Sequence, residues 1–290
     1  MYGCQSMIGS IEKILIKHPK DAFISQENLD ATFSNYGFLE SPNYEKCLEE
    51  YAEFEDILRK HVPEIHYLSQ NTGTGLDSLY THDPVKITSK GAIYFPMGKP
   101  QRGGEGLATR TYFESIGVPT LGVIEAPCRI EGGDVVWIDE RTVAIGRGYR
   151  TNDAGIQRFR ELTKDIVDEI IVVPMPHADG PEACLHLMSI ISFVDSDLAV
   201  VYSKYMPVFF REYLLNRGVT LIETPDDEYD TLGTNILALA PRICVILQGN
   251  DTVKARLEAA GAAVYDYPGR NISYFGTGGP TCLTSPFLRK

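Results

Sequence analysis

Residues with reactive or polar side chains recur along the chain at nearly constant intervals. They are Asp83, Glu131, His186, Asn235 and Cys282, separated by 48, 55, 49 and 47 positions. A thiolate is a strong nucleophile, and a nearby histidine can protonate a leaving group and then take a proton from water. Two carboxylates suit a planar cation, because a guanidinium presents a fork of N–H donors that matches them. Brought together, these side chains could attack the carbon of a guanidinium group.

The thiol and the carboxylates would depend on each other in such a site. An unperturbed Cys282 is only a few per cent thiolate at neutral pH. A cation held within a few ångströms lowers a thiol pKa, and each pKa unit corresponds to about 1.4 kcal/mol. We predict that the carboxylates of Asp83 and Glu131 take part in the reaction. Asp134 is predicted to have a structural role, and Asn235 to contribute to packing.

The elements that must position these residues repeat in the same order. The spacing of apolar residues predicts five helices, over residues 44–60, 106–116, 153–164, 208–216 and 252–260. Three of them are followed by a capping glycine, at Gly117, Gly218 and Gly261. A β-branched run follows every helix, over residues 65–68, 118–124, 170–173, 219–222 and 264–267. The acidic run 226–228 is predicted to be a solvated loop.

A strand–turn–strand pattern precedes four of the five helices. The hairpins are predicted over 85–95, 135–145, 187–202 and 236–247, with strands 187–194 and 198–202 in the third. Residues 281–288 form one further strand, and residues 11–17 are predicted to be its partner. Five units with a chemically capable residue at the start of each hairpin predict a closed, pseudo-fivefold α/β array, in which these residues meet at the axis. We expect one domain that spans residues 1–290.

Composition limits the classes of partner and the setting. The chain has 27 Lys and Arg against 39 Asp and Glu, a net charge of −12, which argues against a nucleic-acid binder. We expect no membrane association, because no apolar stretch reaches the length of a membrane span, and we find no signal peptide. Six scattered cysteines without a CxxC pair indicate free thiols and a cytoplasmic setting. The sequence is compatible with a homodimer as well as a monomer.

Three segments resemble the guanidine-modifying enzyme superfamily, also called the amidinotransferase or pentein superfamily. They read Ile-Glu-Gly-Gly-Asp-Val at 130–135, Leu-His-Leu at 185–187, and Gly-Gly-Pro-Thr-Cys-Leu-Thr at 278–284. The group includes dimethylarginine dimethylaminohydrolases (DDAHs), arginine deiminases and amidinotransferases, and the resemblance runs from about residue 17 to 288. It implies a five-bladed α/β propeller of repeated ββαβ units, with no metal and no cofactor.

The resemblance also implies catalytic roles. Cys282 is similar to the nucleophile that forms a covalent thiouronium intermediate, and His186 to the general acid that later acts as base. Glu131 and Asp83 are similar to the carboxylates that hold the guanidinium. An alternative is a zinc site formed by Cys184 and His186, with His177 and Asp179 upstream. We consider it less suitable, because this set has no fourth ligand at the spacing that zinc sites require.

Further residues are similar to those that bind the amino-acid end of the substrate in DDAHs. Arg102 and Arg150 match arginines near the substrate carboxylate, and Asp77 matches the acid at the substrate amino group. Two positions depart from the superfamily pattern. Met188 replaces an aspartate of deiminases and amidinotransferases that contacts the guanidinium, and His82 stands where many DDAHs have an acid; we expect His82 to contact the substrate.

These observations predict a cofactor-free hydrolase of linear amidines with a small cationic guanidino substrate. A DDAH-like activity on a methylated arginine, giving citrulline and an amine, ranks first. Hydrolysis of arginine to citrulline or ornithine and ammonia ranks second, and amidino transfer, which Met188 disfavours, ranks third. A catalytically silent propeller that binds a guanidine or a protein partner is the non-enzyme alternative.

Overall fold

Fifteen β-strands form five separate three-stranded sheets in the computed structural model, which describes residues 1–290. The strands in chain order are β1 (Ile11–Ile16), β2 (Glu64–Tyr67), β3 (Val85–Thr88), β4 (Gly91–Tyr94), β5 (Thr120–Val123), β6 (Val135–Trp137), β7 (Thr142–Arg147), β8 (Glu169–Pro174), β9 (Ile191–Asp195), β10 (Leu198–Val201), β11 (Thr220–Glu223), β12 (Leu237–Ala240), β13 (Ile243–Leu247), β14 (Ala263–Tyr267) and β15 (Thr284–Arg289). The sheets have the orders β15-β1-β2, β3-β4-β5, β6-β7-β8, β9-β10-β11 and β12-β13-β14. In each, the first two strands are antiparallel and the third is parallel to the second.

A parallel third strand requires a crossover, and helices supply it in every sheet. The helices are α1 (Pro19–Ala22), α2 (Gln26–Thr32), α3 (Tyr44–His61), α4 (Glu105–Ser115), α5 (Asp153–Thr163), α6 (Val208–Asn216), α7 (Asp226–Tyr229) and α8 (Asp251–Ala259). The five crossover helices α3, α4, α5, α6 and α8 are those predicted from the sequence, with ends that agree to within one residue. No helix combines the length and the apolar character that crossing a membrane requires.

Local sequence explains these helices. Asn43 caps α3, because its side-chain oxygen accepts the backbone N–H of Lys46 at 3.0 Å. One face of α3 is buried at helical spacing, through Cys47, Tyr51, Phe54 and Leu58. The predicted capping glycines adopt positive φ angles, at Gly117, Gly218 and Gly261. The amphipathic pattern and the caps therefore define both the position and the length of the helices.

The first and last parts of the chain share one sheet, as predicted. Strand β15 pairs with β1 in antiparallel register, with Ile14 opposite Pro286 and Leu15 opposite Ser285. Hydrogen bonds also join the starts of successive hairpins. They run from Gly132 N–H to Asp83 O, from Leu187 N–H to Asp134 Oδ1, from Ile236 N–H to Ser192 Oγ, from Thr281 N–H to Asn235 Oδ1, and from His82 N–H to Cys282 O. The five hairpin starts thus follow one another around a ring.

The predicted strand over 187–194 is shorter than expected. Leu187–Ser189 form a 3-10 turn, and β9 begins only at Ile191. The side chain of Ser189 accepts the backbone N–H of His186 at 3.1 Å, and this bond stabilises the turn in place of strand pairing. The turn holds His186 at the start of the third hairpin.

The acidic run 226–228 is a helix rather than the predicted solvated loop. Glu228, in α7, is buried and accepts the backbone N–H groups of Thr252 (2.6 Å) and Val253 (2.8 Å). These are free donors in the first turn of α8. Glu228 therefore caps a helix that lies later in the chain, which the local sequence does not indicate.

Candidate functional site

A cavity of about 1010 Å³ lies where the five hairpin starts meet. Each unit contributes at least one lining residue: His82, Gly133, His186, Asn235 and Cys282. The repeat predicted that these parts of the chain converge, and the structure brings them together. The volume is sufficient for an amino-acid-sized ligand.

Cys282 precedes β15 and borders this cavity. Asn235 donates a hydrogen bond from Nδ2 to Sγ of Cys282 at 3.2 Å. Burial raises the pKa of the Cys282 thiol to about 12, and the negative charges of Asp83 and Cys184 act in the same direction. Asn235 and His186 lower this pKa in part. The thiol is therefore protonated at neutral pH when no cationic ligand is bound.

His186 lies between acidic partners. Its Nε2 is 2.6 Å from Oε2 of Glu131, and its Nδ1 is 4.0 Å from Oδ1 of Asp83 and 3.8 Å from Sγ of Cys184. Burial alone would lower the pKa of His186, but Cys184, Asp83 and Glu131 together raise it well above its usual value. A Cβ atom at Gly133 would lie 2.4 Å from Nδ1, so only glycine permits this position of the ring. His186 is thus a buried cation ready to donate a proton.

The segment that carries His186 is fixed by Asp134. This buried carboxylate accepts the Thr151 hydroxyl at 2.6 Å and the Leu187 backbone N–H at 2.9 Å. The Thr151 bond lies within the second unit and the Leu187 bond joins it to the third, in agreement with the structural role expected for Asp134.

Asp83 and Glu131 are the carboxylates nearest to His186. Asp83 accepts the backbone N–H of Gly133 at 3.0 Å, and Glu131 accepts that of Gly98 at 2.6 Å. Burial alone would raise the pKa of each carboxyl group, but their positive neighbours, above all His186, keep both pKa values below the usual range. Both carboxylates are therefore ionised; they do not border the cavity themselves but lie behind its wall, against the ring of His186.

These two carboxylates and His186 also form the one group with the geometry of a compact metal site. Their ligand atoms lie within 4.8 Å of one another. A metal ion would need His186 in its neutral form, whereas its environment favours the protonated form. A guanidinium needs only the carboxylates, so the charge balance suits an organic cation better. Of the residues considered for zinc, His177 bonds the Tyr149 hydroxyl at 2.7 Å instead.

Arg102 has a different place from the one expected. It is buried, does not border the cavity, and donates to the Asp83 carboxylate (2.9 Å), to both oxygens of Glu105 (3.0 and 2.8 Å) and to the Tyr80 carbonyl (3.3 Å). Four of its five N–H donors are thereby used. The expectation that Arg102 contacts a substrate carboxylate is therefore corrected: Arg102 fixes Asp83 from behind.

Arg150 does border the cavity. Its Nη1 is 3.6 Å from Oε1 of Glu131, but this buried nitrogen has no hydrogen-bond partner. Arg129 and Lys99 border the cavity as well. Lys99 donates to Oδ2 of Asp77 at 3.0 Å. Asp77 is buried and does not border the cavity, so the expectation that it contacts a substrate amino group is corrected: Asp77 holds Lys99. The wall therefore offers three cationic side chains, and Arg150 has a free donor.

His82 is committed to contacts within the protein. Its Nδ1–H donates to the Thr284 carbonyl at 3.1 Å, which leaves Nε2 as the acceptor for Lys86 Nζ at 2.6 Å. Burial and the charge of Lys86 lower the pKa of His82 to about 3, so the ring is neutral. The expectation that His82 contacts a guanidinium is therefore corrected: neither nitrogen is available, and only the ring borders the cavity.

The contacts that Asn235 and Cys184 make with the two catalytic side chains were not predicted from the sequence. The packing role predicted for Asn235 is wrong, because its amide contacts the Cys282 sulfur; its place at a hairpin start was the available signal. Cys184 borders the cavity beside His186, with its sulfur 3.8 Å from Nδ1 of that histidine. Burial would raise the pKa of this thiol, but His186 and Arg150 lower it below its usual value.

Comparisons with known proteins agree with this arrangement. The arginine deiminase family model matches residues 76–210 and 202–289, well over half of the chain. Protein YkgA of Bacillus subtilis is 26% identical over 288 residues, 99% of this chain and 95% of that protein. The arginine deiminase of Rhodococcus jostii is 29% identical over an alignment of 192 positions, 55% of this chain and 46% of the enzyme. The chain thus spans about half the length of the curated arginine deiminases it matches.

Solved structures of several guanidine-modifying enzymes share the fold. DDAH from Pseudomonas aeruginosa, in complex with citrulline, has a TM-score of 0.76 at 20% identity, covering 97% of this chain and 100% of that chain. The N-terminal domain of ArgZ, a cyanobacterial arginine dihydrolase, has a TM-score of 0.80 at 17% identity and 97% coverage of both chains. SxtG, an amidinotransferase from Microseira wollei, has a TM-score of 0.79 at 15% identity, covering 100% of this chain and 97% of that chain. The fold is therefore the five-bladed pentein fold, and the chain belongs to the arginine deiminase family.

Proposed function

We propose that this protein hydrolyses a C–N bond in the guanidino group of a methylated arginine, giving citrulline and an amine. One observation carries the proposal: Cys282 and the protonated His186 border one cavity, and the ionised Asp83 and Glu131 lie against the ring of His186. Asp83, Glu131 and His186 form the compact group of a proton donor and two carboxylates, and the cavity adds the thiol of Cys282. These are the groups that substitution at a guanidinium carbon requires.

Binding of the substrate would activate the nucleophile. A guanidinium held by Asp83 and Glu131 places a positive charge close to Cys282, and this charge opposes the burial that raises the thiol pKa. The other end of the substrate meets the cationic wall, where the free donor of Arg150 suits a carboxylate. Because His186 is already protonated, the thiol proton passes to solvent as the substrate binds. Thiolate formation is thereby coupled to binding of the correct charge pattern.

The reaction then needs two proton transfers. The Cys282 thiolate forms a bond to the guanidinium carbon, and His186 gives its proton to the nitrogen that leaves as an amine. Water next attacks the resulting thiouronium carbon, while His186 takes one proton from it. The C–S bond breaks, the remaining hydroxyl proton of the adduct passes to solvent, citrulline is released, and the thiolate is restored. His186 therefore acts first as acid and then as base.

Met188 favours a substituted guanidine. It borders the cavity and is buried, 4% exposed, where deiminases have an aspartate. An unsubstituted guanidinium nitrogen would bring N–H donors to this apolar side chain, and an unpaired buried donor costs about 1–3 kcal/mol. A dimethylated nitrogen has no such donor, so it loses nothing there.

A panel of substrates with product mass spectrometry tests the proposal. We expect dimethylarginine and monomethylarginine to give citrulline with dimethylamine and methylamine, faster than arginine gives ammonia. Cys282→Ser, nearly isosteric with the wild type, is the matched control and should give no product. Turnover of arginine alone would favour a deiminase, ornithine as product a dihydrolase, and transfer of the amidino group to an added amine a transferase.

The silent-propeller alternative needs a separate experiment. 2-Chloroacetamidine carries a planar cation that the carboxylates can hold beside Cys282. We expect it to alkylate Cys282 at neutral pH, and excess arginine to slow the reaction. A protein that only binds a partner has no reason to activate this thiol, so absence of labelling together with absence of turnover would support that alternative.

A further inference from the structure

A second, smaller cavity lies on the other side of His82. It has a volume of about 30 Å³ and shares the His82 ring with the large cavity that Cys282 borders. Lys86, Trp137 and Arg289 are among its lining residues. Trp137 and Arg289 also border a third cavity of about 720 Å³. The proposed reaction uses none of these three side chains.

The charges around this cavity are of one sign. Lys86 and Arg289 both border it, and no aspartate or glutamate does. Lys86 is 7% exposed, and its one hydrogen bond goes to the neutral ring of His82. Two N–H groups of Lys86 therefore have no partner in the protein. This is unusual in a chain with a net charge of −12.

Two further donors add to this pattern. The indole Nε1 of Trp137, a residue 2% exposed, is buried without a hydrogen-bond partner. The Nε of Arg289 is also buried and unpartnered, while its Nη1 donates to the Gly9 carbonyl. Buried polar groups in folded proteins are nearly always hydrogen-bonded. The unpaired donors of Lys86, Trp137 and Arg289 therefore belong to three residues that all border this cavity, and each donor needs an acceptor.

No protein group supplies the missing negative charge. Asp83 is adjacent in sequence to His82, but its oxygens bond Arg102 and Gly133. The Cys4 thiol borders the cavity, yet burial raises its pKa in spite of Arg289 and Lys86. Burial lowers the pKa of Lys86 to about 8, which still leaves it protonated at neutral pH. The other buried cations at the centre of the ring, Arg102 and Arg150, have carboxylate partners.

We propose that this cavity is a binding site for a single monatomic anion, chloride under ordinary conditions, held by Lys86, Arg289 and Trp137. The size of the cavity selects the class of ion. A buried water requires about 10–15 Å³ of such volume, so there is room for about two waters. A halide fits this space, whereas a tetrahedral oxyanion or a carboxylate has more heavy atoms than it can hold. The anion would offset a buried charge that is otherwise costly.

Thermal unfolding in different salts tests this site without reference to activity. We expect chloride to raise the unfolding midpoint of the full-length protein by a few degrees, in a saturable manner, relative to gluconate at the same ionic strength. Lys86→Met removes the ammonium while keeping the length of the side chain, and should abolish the chloride effect. Lys90→Met, a control at an exposed lysine of the same hairpin, should retain it.

A second measurement keeps the proposal testable if Lys86→Met does not fold. In crystals of the wild type grown with bromide, we expect an anomalous peak between Lys86 and Arg289. A midpoint that responds equally to chloride and gluconate, or a Lys86→Met protein that keeps the full chloride effect, would overturn the proposal. So would a bromide peak that forms only at halide concentrations far above those that shift the midpoint, because that ion would be adventitious.

Discussion

The side-chain amide of Asn235 joins the fourth and fifth units at the sulfur of Cys282. Its Nδ2 donates to Sγ at 3.2 Å, and its Oδ1 accepts the backbone N–H of Thr281 at 3.1 Å. The second bond fixes the orientation of the amide, because a flipped amide would lose an acceptor at Thr281 and place oxygen against the sulfur. Asn235 is therefore a fixed donor to the nucleophile.

Removal of this donor should slow the reaction. A hydrogen bond to a charged group is worth about 1.5–3 kcal/mol, so Asn235→Ala should reduce kcat/KM about tenfold to a hundredfold. Asn235→Asp has the same shape but places an acceptor and a negative charge at the thiolate, and should lose more. Steady-state kinetics with a methylated arginine measures both. Activity of Asn235→Asp above that of Asn235→Ala would contradict this role.

Selectivity should depend on Met188. In the wild type, we expect kcat/KM for dimethylarginine to exceed that for arginine. Met188→Asp should reduce the ratio of these two kcat/KM values about tenfold to a hundredfold, because the carboxylate supplies a partner for the unmethylated N–H groups. Met188→Leu, which is apolar and of similar size, is the control and should preserve the wild-type preference. A wild type that prefers arginine would show that another group completes the guanidinium site.

The two thiols of the cavity should differ in reactivity. His186 and Arg150 lower the pKa of Cys184, whereas burial raises that of Cys282 to about 12. Since the thiolate is the reactive form, neutral iodoacetamide at pH 7 should modify Cys184 first. Peptide mass spectrometry reports the order, and Cys184→Ser should leave only slow modification of Cys282. Faster modification of Cys282 by iodoacetamide would mean that its thiol is already activated without a bound cation.

His82 should make the protein less stable in mild acid. Folding lowers its pKa to about 3, so only the unfolded chain binds this proton between pH 3 and its unfolded pKa of about 6.5. The contribution of the neutral His82 ring to the free energy of unfolding is complete above pH 6.5 and is lost as the pH falls towards 3. At pH 5 the loss amounts to about 2 kcal/mol.

A variant isolates this effect from that of other groups. His82→Gln keeps a donor for the Thr284 carbonyl and an acceptor for Lys86 but does not titrate. Urea unfolding at pH 7 and pH 5 should show a smaller decrease in the free energy of unfolding for His82→Gln than for the wild type. Equal decreases in the two proteins would show that His82 does not carry this proton linkage.

The architecture could be predicted because its determinants are local. The five crossover helices follow from apolar spacing, and the pairing of β15 with β1 follows from a repeat that lacked one strand. The convergence of Asp83, Glu131 and His186 then follows from their common position at hairpin starts. The nearly constant spacing of the hairpin starts along the sequence thus predicts where a residue lies in the ring, without any knowledge of its contacts.

The pairing of charged side chains could not be predicted in this way. Arg102 bonds Asp83 and Glu105, although its place in the sequence equally allowed contact with a substrate. His82 lies in the turn before β3 and Lys86 in the strand itself, so their hydrogen bond depends on the folded turn. Cys184 owes its lowered pKa to the position of a neighbouring ring, which only the folded chain determines.

The most direct test of the account is to identify the atom that carries the covalent intermediate. We expect His186→Gly, mixed with a methylated arginine and quenched in acid, to retain a thiouronium adduct, because attack can proceed slowly while water is no longer activated. Peptide mapping should place the added mass on Cys282, and His186→Gly combined with Cys282→Ser should carry none. An adduct on Cys184, or turnover that persists without Cys282, would contradict the assignment of Cys282 as the nucleophile.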